Sequence, residues 1–279
     1  MREPRLGHIH FINCLPLTYA FDIGGYGQGF TIVRDMPARL NGMVVAGELD
    51  ASPVSSIVYA QQPDELRILP DVSISAEGAL QSILLVAKRP ISALDGQAVA
   101  LTAKSATSHR MLKIILAKAY HIAPRYFISP LTLAEGVLQQ AEAVLFIGDD
   151  ALEAFHHRHP DYWYYDLGDE WRKLTGQGMV YALWVVNADF AAKRPAALQQ
   201  IHRTVTGGFA YGLAHLRLAA RMMAGRTPFT AEQIYEYINL LNYGFTERHR
   251  QALLTYYGLA YDLGLIARIP ELRFAEVIL

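Results

Sequence analysis

Short apolar runs bounded by turn residues alternate with segments of helical period along the first two-thirds of the chain. The runs "RLGHIHFI" (5–12), "FTIVRD" (30–35), "LDASP" (49–53), "LRILPDVSIS" (66–75) and "ALQSILLVAK" (79–88) predict strands. Between them, "NCLPLTYAFD" (13–22), "PARLNGMVVAGE" (37–48) and "VSSIVYAQQ" (54–62) predict helices, with Asn13 as a candidate N-cap and Pro37 at a first helical position. After Lys88 the pattern restarts, with strands at 98–103, 125–129, 141–148, 163–168 and 179–187 and helices at 106–120, 133–140 and 149–159. From Ala188 the chain is helical: 197–225, with Gly207–Gly208 as a kink or break, then 230–241 capped by Thr230, then 247–266.

Strands alternating with helices imply α/β sheets joined by crossover connections. Two such runs imply two lobes, one from residues 1–87 and 180–279, the other from 88–179. The runs "ALQSILLVAK" and "MVYALWVV" have the length to serve as connecting strands, and the C-terminal helices then pack back on the first lobe. That layout is the two-lobed type II periplasmic-binding-protein-like fold. Open α/β sheets bind ligands at the carboxyl ends of their strands, so the cleft lies where those turns meet.

Composition narrows the function classes. A length of 279 residues suits about two domains, and a net charge of −1 gives no basic bias toward nucleic acid. The lone Cys14 excludes an internal disulfide and a cysteine-rich zinc site. The N-terminus lacks the basic, apolar and cleavage segments of a leader, and no uninterrupted apolar run reaches about 18 residues. The expectation is a soluble cytoplasmic protein with no membrane segment.

Four strand-to-helix turns carry polar residues: Asn13; Ser52, Ser55 and Ser56; Ser105, Thr107 and Ser108; and Gly148 with Asp149 and Asp150. Each can cap a helix. Each can equally bind an anion, because helix N-termini expose unpaired N–H groups and about half a positive charge. Two such turns facing each other suit a small dianion. Asn13 reads as a turn residue or as a neutral group orienting a substrate carboxylate. Ser82, inside the apolar "LQSILLV", reads as a buried structural serine or as one facing the cleft.

Other features favour structural roles. The run "HHRHP" (156–160) sits at a helix end, where histidines suit the dipole, and His8 and His10 share a strand face without a marked metal partner. Cys14 has no paired base and reads as a small buried residue. The glycine-rich "GGYGQG" (24–29) follows a helix and precedes a strand, the wrong order for a phosphate loop. The charged "DLGDEWRKLTG" (166–176) either closes the second lobe or lines the cleft.

The segments "GHIHFINCLPL", "PARLNGMVVAGELDASPVSS", "EGALQSILLVAK", "LTAKSATSHRMLKIIL", "AVLFIGDDAL" and "DLGDEWRKLTG…VYALWVV" come in this order between about residues 6 and 187. In this the sequence resembles the chorismate dehydratases of the futalosine route to menaquinone. The resemblance implies a cytoplasmic enzyme that removes water from chorismate to give 3-[(1-carboxyvinyl)oxy]benzoate, with no cofactor and no metal. It implies catalytic roles for Asn13 and Ser82. It places the hydroxyl clusters Ser55–Ser56 and Thr107–Ser108 around the substrate carboxylates, and with the turn residues Ser105, Gly148 and Asp149 these make up the expected substrate-binding set. Two departures stand out: His109 in "SATSH", where a small or apolar residue is expected, and "TGQGMVYA", where Gln177 and Gly178 replace Leu-Pro of the usual "TGLPFVFA".

The chemistry needs little from the protein, since loss of the ring C3 proton and C4 hydroxyl makes the ring aromatic. The motifs offer no clear Glu, Lys or His as base. The expected mechanism is therefore substrate-assisted: the enolpyruvyl carboxylate takes the proton while Asn13 holds it, and Ser82 assists hydroxyl departure. Three alternatives stay open. The sister enzyme of the same fold, 1,4-dihydroxy-6-naphthoate synthase, is associated with a second-lobe histidine. A non-catalytic small-anion-binding protein would share the fold, as would the effector domain of a transcription factor.

Overall fold

The computed structural model describes residues 2–102 and 106–278. Ser105 therefore lies outside the described residues. The chain folds around two sheets. The first holds six strands: β1 (Arg5–Ile9), β2 (Thr31–Asp35), β3 (Ala51–Ser55), β4 (Leu66–Ala76), β10 (Met179–Asn187) and β11 (Leu241–Asn242), in the order β11-β4-β10-β3-β1-β2. The second holds five: β5 (Ile83–Ala87), β6 (Ala98–Thr102), β7 (Arg125–Ser129), β8 (Ala143–Ile147) and β9 (Trp163–Asp166), in the order β7-β6-β8-β5-β9.

Each sheet has a parallel part and an antiparallel part. β1 runs parallel to β2 and β3, and β6 parallel to β7 and β8. β10 runs antiparallel between β3 and β4, and β5 antiparallel between β8 and β9. The parallel strands are followed by helices: α1 (Leu15–Asp22), α2 (Pro37–Val45) and α3 (Ser56–Gln61) after β1–β3, then α4 (Ala106–Lys118), α5 (Val137–Gln140) and α6 (Asp149–His156) after β6–β8. Crossover helices cover the faces of parallel strands, so β3 and β8 are buried along their whole length.

The chain crosses between the sheets twice, at residues 77–82 and through α7 (Leu167–Thr175) with residues 176–178. Neither run expected to connect the lobes spans both sheets. β10 lies wholly in the first sheet. The strand expected at 79–88 begins only at Ile83, and the five-residue β5 pairs only within the second sheet. The backbone reason is visible at Gln81, whose φ of 65° breaks extended geometry just before Ser82. The expected first lobe, ending at residue 87, thus included a strand that belongs to the other sheet.

The remaining elements are α8 (Ala188–Lys193), α9 (Pro195–Ala214), α10 (Leu216–Ala224), α11 (Ala231–Asn239) and α12 (Glu247–Asp262). α9 packs along α1 and β4, and α12 packs on β10, α3 and α4, so it touches both halves of the molecule. Thr230 caps α11 as expected, and Gln233 at N3 completes a capping box with it.

Several local expectations shift. The long helix breaks at His215, not at Gly207–Gly208. Those glycines and Gly212 instead allow close approach, and a Cβ at Gly212 would lie 1.9 Å from the Pro16 carbonyl oxygen. Helix 133–140 shortens to α5 because Gly136 takes a left-handed conformation. Strand 5–12 stops at Ile9, so His8 and His10 do not share a strand face: His8 is buried against Thr18 and Phe21, and His10 is exposed. Asn13 caps no helix, since it lies within a short 3-10 turn (Ile12–Cys14) and makes no side-chain cap bond.

Candidate active site

The two sheets face a shared cleft of about 620 Å3. Its wall is largely apolar, with Phe11, Ile74, Leu80, Ile147 and Leu241 among the lining residues. The polar lining comes from Asn13, Ser55, Ser82, Thr107, Ser108, Tyr181 and Tyr237. Among the described residues, none that lines the cleft carries a charge.

The sequence-derived site residues converge here from four turns. Asn13 follows β1, Ser55 ends β3, Ser82 precedes β5, and Thr107 and Ser108 open α4. Gly148 follows β8 at φ 60°, and a Cβ there would press on the Phe11 ring at 3.2 Å, so glycine is required where the halves meet. Two expected ligands instead join the halves. The Ile12 N–H donates to Asp149 Oδ1 at 3.2 Å. Ser56 is fully buried, with its hydroxyl 3.4 Å from Thr107 Oγ1, which also accepts from the Ile57 N–H at 3.3 Å. The two hydroxyl clusters thus touch through their inner members, leaving Ser55 and Ser108 beside Thr107 on the cleft wall.

Behind this surface stands a set of tyrosines that the sequence reading missed. Tyr237 on α11 donates to Ser82 Oγ at 2.9 Å, and Tyr243 donates to the Asn13 carbonyl at 2.8 Å. Tyr256 and Tyr257, neighbours on α12, donate to the carbonyls of Thr107 and Ser56 at 3.1 and 2.6 Å. Burial pushes all four phenols above their ordinary range, so they stay protonated and serve as donors. Because Tyr237 donates to Ser82 Oγ, the serine's own hydrogen is left to point elsewhere. The helical C-terminus, the least distinctive part of the sequence, thereby fixes four positions of the site.

Asp166 supports the link that carries Ser82. Its carboxylate accepts from the backbone N–H groups of Leu80 and Gln81 at 3.0 and 2.6 Å, and from Gly168 and Asp169 at the start of α7. Burial raises its pKa above the ordinary carboxylate value, and these four N–H donors offset only part of that rise. The rest of "DLGDEWRKLTG" is structural. Trp171 is fully buried edge-on to Tyr256, and Glu170 pairs with Lys173 and accepts from Tyr120.

Among the described residues, the cleft lining offers no base of ordinary strength. Cys14 is buried and its thiol is pushed up to about 12 by desolvation, with the Asp149 carboxylate adding to it. It should therefore resist iodoacetamide in the native protein at pH 8 and react only on unfolding; rapid native-state labelling, read by mass spectrometry, would contradict this. His109 lies outside the cleft lining and holds the Thr102 carbonyl at 2.6 Å through Nε2. Burial lowers its pKa, so the ring is a neutral tie from α4 to the end of β6. Among the described residues, no three His, Cys, Asp or Glu side chains converge to hold a metal ion, and no helix is long and apolar enough to cross a membrane.

The family profile described as "Menaquinone biosynthesis" matches residues 4–262. The chain belongs to this menaquinone biosynthesis family. Within it, the chain is 31% identical to the chorismate dehydratase of Thermus thermophilus, over 91% of this chain and 93% of that protein. It is 25% identical to the 1,4-dihydroxy-6-naphtoate synthase of the same organism, over 84% and 85%. Among solved structures, an Archaeoglobus fulgidus protein superposes with a TM-score of 0.76 at 20% identity, covering 94% of this chain and 98% of that one. The periplasmic aliphatic sulphonate binding protein of Escherichia coli superposes at 0.70 with 14% identity, covering 99% and 98%. The fold of this family member is thus the two-lobed periplasmic-binding-protein-like one.

Proposed function

We propose that this chain is a chorismate dehydratase, a cytoplasmic carbon–oxygen lyase of menaquinone biosynthesis that works in the cleft between its two sheets. The observation that carries the reading is the lining itself: hydroxyls and one amide on an apolar wall, with no charged side chain among the described residues. A reaction driven by aromatisation, and supplied with its base by the substrate, needs donors in fixed positions and no metal or strong base. The 31% identity to a chorismate dehydratase supports the same substrate.

In this mechanism the ring carboxylate lies toward the first turn of α4, beside Thr107, Ser108 and Ser55, where the positive end of a helix favours an anion. The enolpyruvyl carboxylate lies against the Asn13 amide and takes the C3 proton. The electron pair of the C3–H bond spreads through the ring diene toward the C1 carboxylate, where the α4 donors stabilise it. The C4–O bond then breaks, its pair leaves with the oxygen, and the proton held on the enolpyruvyl carboxylic acid completes a water molecule. Ser82, its oxygen occupied by the Tyr237 hydroxyl, turns its own hydrogen toward the departing group.

The sister naphthoate synthase reading asks for a histidine at the substrate. No described cleft-lining residue is a histidine, and His109 is committed to the Thr102 carbonyl. Purified protein mixed with chorismate, without added metal or cofactor, is expected to consume it and release the aromatic enol ether, followed by ultraviolet absorbance and mass spectrometry. Binding of chorismate with no turnover would move the assignment to a solute-binding protein.

A further inference from the structure

Tyr181 lies on β10 and lines the cleft, and it is only 9% exposed. Its hydroxyl is fully buried, yet it has no hydrogen-bond partner among the described residues. A buried phenol without a partner carries an uncompensated desolvation cost, and natural proteins keep few such groups. The other tyrosines around the site, Tyr237, Tyr243, Tyr256 and Tyr257, each donate to a protein oxygen. Tyr181 alone of these five holds its hydrogen in reserve.

Its surroundings say what kind of group it can meet. A Cβ built on Gly168 would lie 2.9 Å from the Tyr181 oxygen and 2.8 Å from the Leu80 side chain, so the hydroxyl sits beside the link that carries Ser82. Burial raises the phenol's pKa well above its ordinary value, and the Asp166 carboxylate and Tyr237 add to it. A phenol in that field stays protonated, and a second carboxylate placed there would meet Asp166 repulsion. A neutral oxygen would not.

Resting on the chorismate reading, we propose that the Tyr181 hydroxyl donates a hydrogen bond to the C4 oxygen of the substrate, the one that leaves as water. The substrate is thereby oriented with its two carboxylates toward Asn13 and the Thr107–Ser108 turn and its ring hydroxyl toward Tyr181 and Ser82. As the C4–O bond breaks, charge gathers on this oxygen. A donor already in place stabilises the hydroxide until it takes the proton from the enolpyruvyl carboxylic acid. Tyr181 keeps its own proton throughout, so no further acid or base is consumed.

The test is Tyr181→Phe, which keeps the buried ring and removes only the unpaired hydroxyl. Its melting temperature is expected to equal or exceed that of the unaltered protein, while kcat/KM on chorismate falls about tenfold, the loss of one donor to a developing charge. The product 3-[(1-carboxyvinyl)oxy]benzoate lacks the C4 oxygen, so its dissociation constant, measured by calorimetry, should stay within about twofold. Turnover within twofold of the unaltered protein would overturn the assignment. A parallel loss of product affinity would also overturn it, because the hydroxyl would then be holding a carboxylate. If the unaltered protein turns over no chorismate, the functional reading itself falls, and that result is separate from either outcome for the variant.

Discussion

Replacing Asn13 by alanine should lower kcat on chorismate by roughly 10²–10³-fold while leaving the melting temperature nearly unchanged. The side-chain oxygen of Asn13 is buried without a partner among the described residues, so the amide is not spent on holding the fold. The backbone there is held independently, through the Tyr243 hydroxyl on the Asn13 carbonyl. A half-turn about χ2 exchanges the two ends of the amide, which lets it offer N–H to a carboxylate. Removing it frees the enolpyruvyl carboxylate from the geometry in which it meets the C3 proton, and misplacement by about 1 Å is enough for a loss of this size. Asn13→Asp should lose at least as much, since it sets a negative charge against a dianion. Initial rates of product formation, with a thermal melt of each variant, check both. Near-full turnover by a folded Asn13→Ala protein would remove Asn13 from the chemistry.

The largest effect on stability is expected at Asp166. Asp166→Ala strips the acceptor from four backbone N–H groups at once, those of Leu80, Gln81, Gly168 and Asp169. Two of them open α7 and two lie in the link before Ser82, so the cost combines a lost helix cap with unpaired buried donors, about 3–5 kcal/mol in all. Gln81, held at positive φ by this carboxylate, then has no reason to keep Ser82 in place, and activity should fall with stability. Asp166→Asn keeps an acceptor in the same position and should recover most of both. The urea midpoint is the measurement. An Asp166→Ala midpoint equal to that of the unaltered protein would mean that the link is held by other contacts.

Much of this was readable from the chain because period and turn chemistry act locally. The period predicts every strand of both sheets except the two-residue β11, and Thr230 marks the start of its helix as a cap that acts within one turn. Asn13, Ser55, Ser82, Thr107 and Ser108 were legible as a group because each follows a strand end or interrupts an apolar run, and such turns gather at one edge of an α/β sheet. What stayed hidden depended on contacts between distant segments. Asp149 and Ser56 looked like ligands, but their partners, Ile12 and Thr107, come from the opposite half. The four supporting tyrosines follow helical patterning that any packed helix shows, and nothing in their spacing says that their hydroxyls reach Ser82, Asn13, Thr107 and Ser56. The break at His215 was misplaced because glycine weakens a helix in isolation, whereas here Gly208 and Gly212 are there to let α1 come close.

The strand order has a consequence for how the molecule is made. β10 lies between β3 and β4, yet it follows every strand of the second sheet along the chain. On the ribosome, the five strands from Ile83 to Asp166 are therefore all available before the first sheet can join its two separate parts, β2-β1-β3 and β4. The edge of β4 waits longer still, for β11 and for Phe274, which bridges to Ile68. The sheet that begins the sequence is thus finished after the second one, and the cleft gains its tyrosine supports only once residues 237–257 have been made.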